Sequence, residues 1–316
     1  MKIFELTLTK LRYREFLEEI QEYTLRPVSW DRSHGRTIFT PNPEICLKTL
    51  EDLEFLEVLR QADYLTSDGI GLYLAYQIND YLQPALSPGR RELERGVVWS
   101  WEAKRAILWK KMYLESRALW RKIFLFFLLP YYISNLLFRK KYLYRLYGDR
   151  ICGSDLTSEL LTFAQKNALK IAIVDPYFPD DEAKCEAQKY FRMRLSQLFP
   201  KLDFELYILR NDNQREILEA LKHSEAKICF ATLGMKKQEL FCLEVQKNCP
   251  SVALALWVGS SFDYYTWFQK RAPKLWRESW FEWLYRIFTS PNKLKRLGRI
   301  YQALMVFPIR VILYKK

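Results

Sequence analysis

Three carboxylates in this sequence stand where acid–base chemistry would need them. Asp68 in SDGIG, Glu239 in KKQE and Asp263 in SSFD each occupy a loop that directly follows a strand-like apolar run. The chain has only two histidines, His34 and His223, so proton transfer falls to carboxylates rather than imidazole. Gly69 and Gly71 beside Asp68 let the backbone approach a ligand closely. A single loop aspartate is more often a turn or cap residue than a catalytic one, but several gathered on one rim make a candidate site. GxGxxG, P-loop, HExxH, GxSxG and Ser-His-Asp signatures are all lacking. The cysteines at 46, 152, 185, 229, 242 and 249 form no CxxC pair and no zinc-ligand spacing. They read as reduced packing residues of a cytoplasmic protein, with no metal expected. MKIFELTLTKLRYREFLEEI has no uninterrupted apolar stretch of the signal-peptide kind.

The elements that must position these loops alternate along the chain. TIF (37–39) leads into TPNP, a helical run follows over 44–62, and DYLTSDGIG gives a short strand and a glycine-bearing loop before a second helical run. The alternation resumes at 151. GSDL (153–156) opens a helix with Ser154 or Asp155 as its expected N-cap. Strands are expected in LKIAIVDPYF, DFELYIL, AKICFATLG and SVALALW, each followed by a helix or a loop. Strands alternating with helices of this length predict an α/β protein, a Rossmann-like parallel sheet with helices on both faces. Ligands bind beyond the carboxyl ends of such strands, so TPN, SDGIG, LGMKKQE and VGSSFD are expected on one rim.

Charge divides the chain further. Residues 85–150 carry 15 Lys/Arg against 5 Asp/Glu, and residues 270–316 carry 12 against 2. The remainder, 1–84 with 151–269, is net acidic, although the whole chain is +13. The predicted organisation is an α/β core over 1–84 and 151–269, a basic hydrophobic helical insertion over 85–150, and a C-terminal helical appendage over 270–316. Within the insertion, IFLFFLLPYYISNLL (123–137) has Pro130 at its middle and Arg121, Lys122, Arg139, Lys140 and Lys141 at its flanks. A helical span needs about 20 apolar residues, so this run suits an interfacial or re-entrant element better, or else a helix packed on the core. In the appendage, Trp276, Trp280, Trp283, Leu284, Ile287 and Phe288 recur at helical spacing. Basic and aromatic together suit an anionic bilayer interface. They also suit nucleic acid, but a solvated groove has no use for FLFFLLP, so no nucleic-acid partner is expected.

The ordered motifs TPNPEI (40–45), ADYLTSDGIG (62–71), GSDL (153–156), ATLGMKKQE (231–239), VGSSFDYYTW (258–267), RAPKLW (271–276) and FEWLYRIFTSPNKLKR (281–296) resemble the WecG/TagA/CpsF family of bacterial glycosyltransferases. Each motif is weak alone; the ordered set is specific and covers nearly everything outside 85–150 and the extreme ends. The resemblance implies inverting transfer of an N-acetylhexosamine-type sugar from a UDP-sugar to a sugar on a polyprenyl diphosphate. Such transfer belongs to surface-polysaccharide or teichoic-acid-like polymer synthesis at the cytoplasmic face of the membrane. It implies no metal and no cofactor beyond the UDP-sugar co-substrate. Asp68 falls on the family's presumed general base, and Thr40 and Asn42 on polar residues of the same pocket. Gly69, Gly153, Ser154, Asp155 and Gly234 fall on its substrate-binding motifs. Gln238 and Glu239 match the motif expected to hold the nucleotide, Asp263 a second pocket carboxylate, and Arg286 and Arg296 basic positions of a membrane-binding appendage.

The sequence departs from the family pattern in places. Gly234-Met235-Lys236 replaces a Gly-Ala-Pro-type stretch, Trp267 a glycine, VDPYF (174–178) a Gly-rich turn, and Lys293 a customary arginine. A reshaped nucleotide pocket follows, and with it a second reading: a catalytically inactive relative serving as a membrane-bound scaffold. The expected partners are the UDP-sugar, the lipid-linked acceptor and an anionic membrane surface, with a homo-oligomer also compatible.

Overall fold

The computed structural model describes residues 1–27, 35–86, 120, 123–125, 127–176, 182–265, 270–278, 282–289 and 293–314, with backbone only at 83–86, 183, 184, 187, 260, 286 and 295. Its centre is a six-stranded parallel sheet: β3 (Arg36–Phe39), β4 (Tyr64–Leu65), β5 (Ile171–Pro176), β6 (Phe204–Leu209), β7 (Ile228–Ala231) and β8 (Leu254–Trp257), in the order β4-β3-β8-β7-β5-β6. The central strands are near-continuous apolar runs because both faces of a parallel sheet are covered. Alternate side chains divide between two cores. Ala172, Val174, Cys229, Ala231 and Ala255 join the cluster under helices Leu53–Arg60, Ile70–Leu86 and Lys237–Asn248. Ile171, Ile173, Ile228, Phe230 and Leu256 join the opposite cluster, under helices Tyr13–Leu25, Gly153–Lys166 and Glu182–Leu198. The doubly covered parallel sheet expected from the alternation is therefore the fold.

The half containing β3–β4 meets the half containing β5–β8 at the β3/β8 pair, and the chain leaves these two strands toward opposite faces: Ile45 and Cys46 after β3 join the first core, Phe262 after β8 the second. A crevice beyond the strand ends at such a point is where open α/β sheets bind ligands.

Several local expectations change. The helical run over 44–62 is two helices, Pro43–Lys48 and Leu53–Arg60. Asp52 interrupts it by accepting the Phe55 N–H at 2.9 Å as an N-cap. The helix at GSDL starts at Gly153 after Cys152, not after Ser154 or Asp155, and no side chain caps it. Asp155 is drawn instead to Arg271 and Arg277, where its charge is neutralised. The N-terminal segment, left unassigned by pattern, forms a two-stranded antiparallel pair, β1 (Lys2–Ile3) with β2 (Leu6–Thr7), and the helix Tyr13–Leu25. Asp149 bonds the first N–H of that helix, at Tyr13, at 2.9 Å.

The C-terminal helix Lys293–Tyr301 runs through a π-turn, Gln302–Val306, into Phe307–Leu313. Pro308 has no N–H to return to residue 304, and the wider turn accommodates that loss. Phe307, Val311 and Ile312 are buried against the body, with Phe307 edge-on to Phe4 at 5.8 Å. Among the described residues no helix is long and apolar enough to cross a membrane.

Candidate functional site

Three neighbouring strand ends and the C-terminal arm enclose a cavity of about 330 Å³. From the end of β3 come Thr40, Asn42 and Pro43; from the end of β4, Asp68 and Gly69; from the end of β8, Val258, Gly259 and Ser261. Gly153 and Ser154 bring the first turn of helix Gly153–Lys166, and Ile70 and Gly71 the first turn of helix Ile70–Leu86. The arm contributes Glu282, Trp283, Arg296 and Arg299.

The loop bearing Asp68 is held by backbone bonds on both sides. Thr66 N–H donates to Phe39 O at 2.8 Å, Asp68 N–H to Pro41 O at 3.2 Å, and Ile151 N–H to Ser67 O at 3.1 Å. Gly69 then turns the chain at φ +101°, a conformation that strains any side chain. Asn42 has a role beyond the pocket wall: its Oδ1 accepts the Ile45 N–H at 3.0 Å and caps helix Pro43–Lys48. Gly153 packs closely, since a Cβ there would lie 3.4–3.5 Å from Val258, Ser261 and Thr40.

Arg150, not singled out by the sequence patterns, is the electrostatic centre of the cavity. Its guanidinium lies 3.2 Å from Glu282 and 4.0 Å from Asp155. Burial favours loss of its proton, yet Cys152, Asp68 and Glu282 around it hold its pKa well above the ordinary arginine value. Cys152 adds charge only as thiolate, and burial pushes that thiol up to about 12. At neutral pH the two carboxylates therefore hold the guanidinium. Asp155 is also largely out of water, which disfavours its charge. The Cys152 thiol at 2.9 Å together with Arg271, Arg150 and Arg277 reverses that and holds its carboxyl below the usual aspartate range. Asp155 is thus a clamp joining the helix Gly153–Lys166 to the arm.

The cavity unites Thr40, Asn42, Asp68, Gly69, Gly153, Ser154 and Arg296 from the sequence candidates. Asp155, Gly234, Gln238, Glu239 and Asp263 are outside its wall. Gly234 turns the chain after β7 at φ +85°, and Asp263 is half-buried on the turn Gly259–Tyr264. Gln238 and Glu239 are sealed in the first turn of helix Lys237–Asn248. Burial pushes Glu239 up to about 7, against weaker opposing hydrogen bonds from backbone N–H groups and Gln238. Among the described residues, Glu239 Oε2 and Gln238 Oε1 find no hydrogen-bond partner. Arg286 lies on helix Glu282–Thr289, but its side chain is outside the described residues, as are Trp280 and Trp267. Trp283, expected on the apolar face of an amphipathic helix, lines the cavity instead. Besides Arg150, the sequence patterns missed Arg299 and Glu282. A charged residue just before GSDL and the acid in FEWLYR were the available signals.

Two helix N-termini and three arginines form an anion cradle that shares the cavity with three carboxylates: Asp68, Glu282 beside Arg150, and Glu44 at 3.5 Å from Arg299. Such a site suits a group transfer whose leaving group is anionic. The chain matches the model of the Glycosyl transferase WecG/TagA/CpsF family over residues 1–89 and 134–316 and belongs to that family. It is accordingly a glycosyltransferase of cell-surface polysaccharide synthesis, taking a nucleotide-sugar donor and an acceptor. The unmatched stretch, 90–133, falls inside the basic segment 85–150.

Proposed function

We propose that the enzyme transfers an N-acetylhexosamine-type sugar from its UDP carrier to a sugar hydroxyl on a polyprenyl diphosphate, with inversion, at the cytoplasmic face of the membrane. The observation that supports this most is the sharing of one cavity by Asp68 and an arginine-rich anion cradle. Asp68 takes the proton of the acceptor hydroxyl as its oxygen attacks the anomeric carbon. The bond to the diphosphate breaks on the opposite face, and UDP carries away the electron pair. Negative charge growing on the diphosphate meets Arg150, Arg296, Arg299 and the amides opening helices Ile70–Leu86 and Gly153–Lys166. Thr40, beside Gly153, offers a hydroxyl to the reacting sugar. Charge neutralisation in this reading uses the arginines.

Glu239 and Gln238 enter as the nucleotide's partners. Their two unsatisfied acceptors suit hydroxyl and N–H donors of a nucleoside, which reach them once the β7 loop shifts. The scaffold reading draws on their present seclusion.

The deciding experiment is UDP release from a panel of UDP-N-acetylhexosamines with a short-chain prenyl-diphosphate-sugar acceptor. Asp68→Asn is expected to lower acceptor-dependent turnover by about 10²–10⁴-fold. Turnover unaffected by that change removes Asp68 as base. No turnover with any donor, in a protein that still binds vesicles, favours the scaffold.

A further inference from the structure

Helical residues 123–125 and 127–138 have two unlike faces. The inner face is part of the fold: Leu125 and Leu136 are fully buried, and Asn135 Nδ2 donates to Gln77 Oε1 at 3.2 Å on helix Ile70–Leu86. The outer face is aromatic and bare. Phe124, Phe127, Tyr131 and Phe138 recur at helical spacing, and Phe127 and Phe138 are 75% and 82% exposed. Trp120 is also exposed. At about 100° per residue Phe124, Phe127, Tyr131 and Phe138 fall within an arc of about 60°. Three exposed cations, Arg139, Lys141 and Arg145, follow directly. Helix Lys140–Tyr147 then leads to Gly148, whose carbonyl accepts from Tyr73, and so to Arg150 in the cavity wall.

We propose that this outer face docks the enzyme on an anionic lipid bilayer. The inference deepens the proposed function and rests on it for the identity of the acceptor. Soluble monomers do not leave a contiguous aromatic stripe in water without a partner. Trp, Tyr and Phe favour the headgroup boundary, and adjoining lysines and arginines favour anionic headgroups. A second copy presents the same basic surface, and the chain is +13 overall, so like charges oppose self-docking there. The helix lies flat: its inner face is held by helix Ile70–Leu86, leaving only aromatic tips to enter the lipid. Because that same supporting helix begins at Gly69–Gly71, docking sets the cavity at a fixed attitude to the membrane.

The test uses the full chain with phosphatidylcholine vesicles, with or without phosphatidylglycerol. Phe124→Ser, Phe127→Ser and Phe138→Ser are combined, all at exposed positions, with thermal unfolding to verify the fold. Binding to anionic vesicles is expected to fall about tenfold or more. Arg139→Gln, Lys141→Gln and Arg145→Gln together are expected to abolish the preference for phosphatidylglycerol. UDP release with the short-chain, water-dispersed acceptor is expected to stay at the wild-type level in the aromatic variant. Wild-type-like flotation of the folded aromatic variant overturns the proposal, as does a change from dimer to monomer with flotation intact, which assigns the face to a second copy. If neither protein transfers sugar but the flotation difference holds, the transfer reading fails and the docking surface stands.

Discussion

The carboxyl ends of β4 and β7 are followed by one carboxylate each and treat it in opposite ways. Asp68 is half-buried in an open cavity, and the charge of Arg150 is coupled to it. Glu239 is fully buried, beside an amide rather than a cation, and titrates near 7. One of the two lysines in its motif, Lys236, is taken by Asp52 at 2.9 Å and Glu54 at 2.7 Å. A cation beside a carboxylate favours its charged form. A carboxylate sealed without a cation is held in part protonated, and its charge waits for a partner to arrive. On the proposed reading, the Asp68 side of the site stands open and formed, and the Glu239 side is still sealed.

The contrast breaks most sharply at Arg150. Replacing it with Met leaves Asp68 and Glu282 without their shared cation. We expect turnover to fall by about 10²-fold or more, and the acid limb of the pH–rate profile to move to higher pH, because Asp68 then holds its proton more tightly. A variant whose turnover falls with an unmoved pH profile would leave Arg150 only a structural role.

At Glu239 the expected effect is smaller and depends on pH. Its folded pKa is raised from 4.5 to about 7, so the unfolded chain releases this proton first as pH rises. Folding is thus penalised progressively between those values, and the full penalty is present above 7. Glu239→Gln removes it. The variant is expected to gain up to about 3 kcal/mol at pH 8 and little at pH 4.5, read from thermal unfolding at both. Equal gains at both pH values would mean Glu239 is not held protonated.

The smallest effect separates the two roles of Asn42. Asn42→Ala loses the cap on helix Pro43–Lys48 and should cost about 1 kcal/mol in chemical unfolding. Asn42→Asp keeps the cap but places a second anion at the cavity. Preserved stability with reduced turnover is expected for it; equal turnover would confine Asn42 to capping.

The sheet was legible because buried parallel strands are written as runs such as IAIV, ICFA and LALW, and the loops after them inherit their place. β1 and β2 are two residues each, too short to have a period, and helix Tyr13–Leu25 is mostly charged on its outer side. The break at Asp52 was written in the sequence as a cap residue, but the apolar spacing on either side concealed it. Asp68, Thr40, Asn42 and Arg296 were found because motif order placed them together. Arg150 was hidden by its neighbours: in a basic stretch, one arginine that turns inward looks like the others. Position along the chain also did not show that Glu282, from the arm, would meet it.

Gly71 sets a dimension of the whole assembly. A methyl group there would stand 2.6 Å from Pro43 Cγ and 2.7 Å from the carbonyl oxygen of Ala303 in the π-turn. The C-terminal arm and the start of helix Pro43–Lys48 thus both close on Gly71, where there is room for a hydrogen and not for a methyl group. Position 71 is a spacer gauge: any larger residue drives a wedge between arm and core, and Arg296 and Arg299 move off with the arm while Asp68 and Arg150 stay behind.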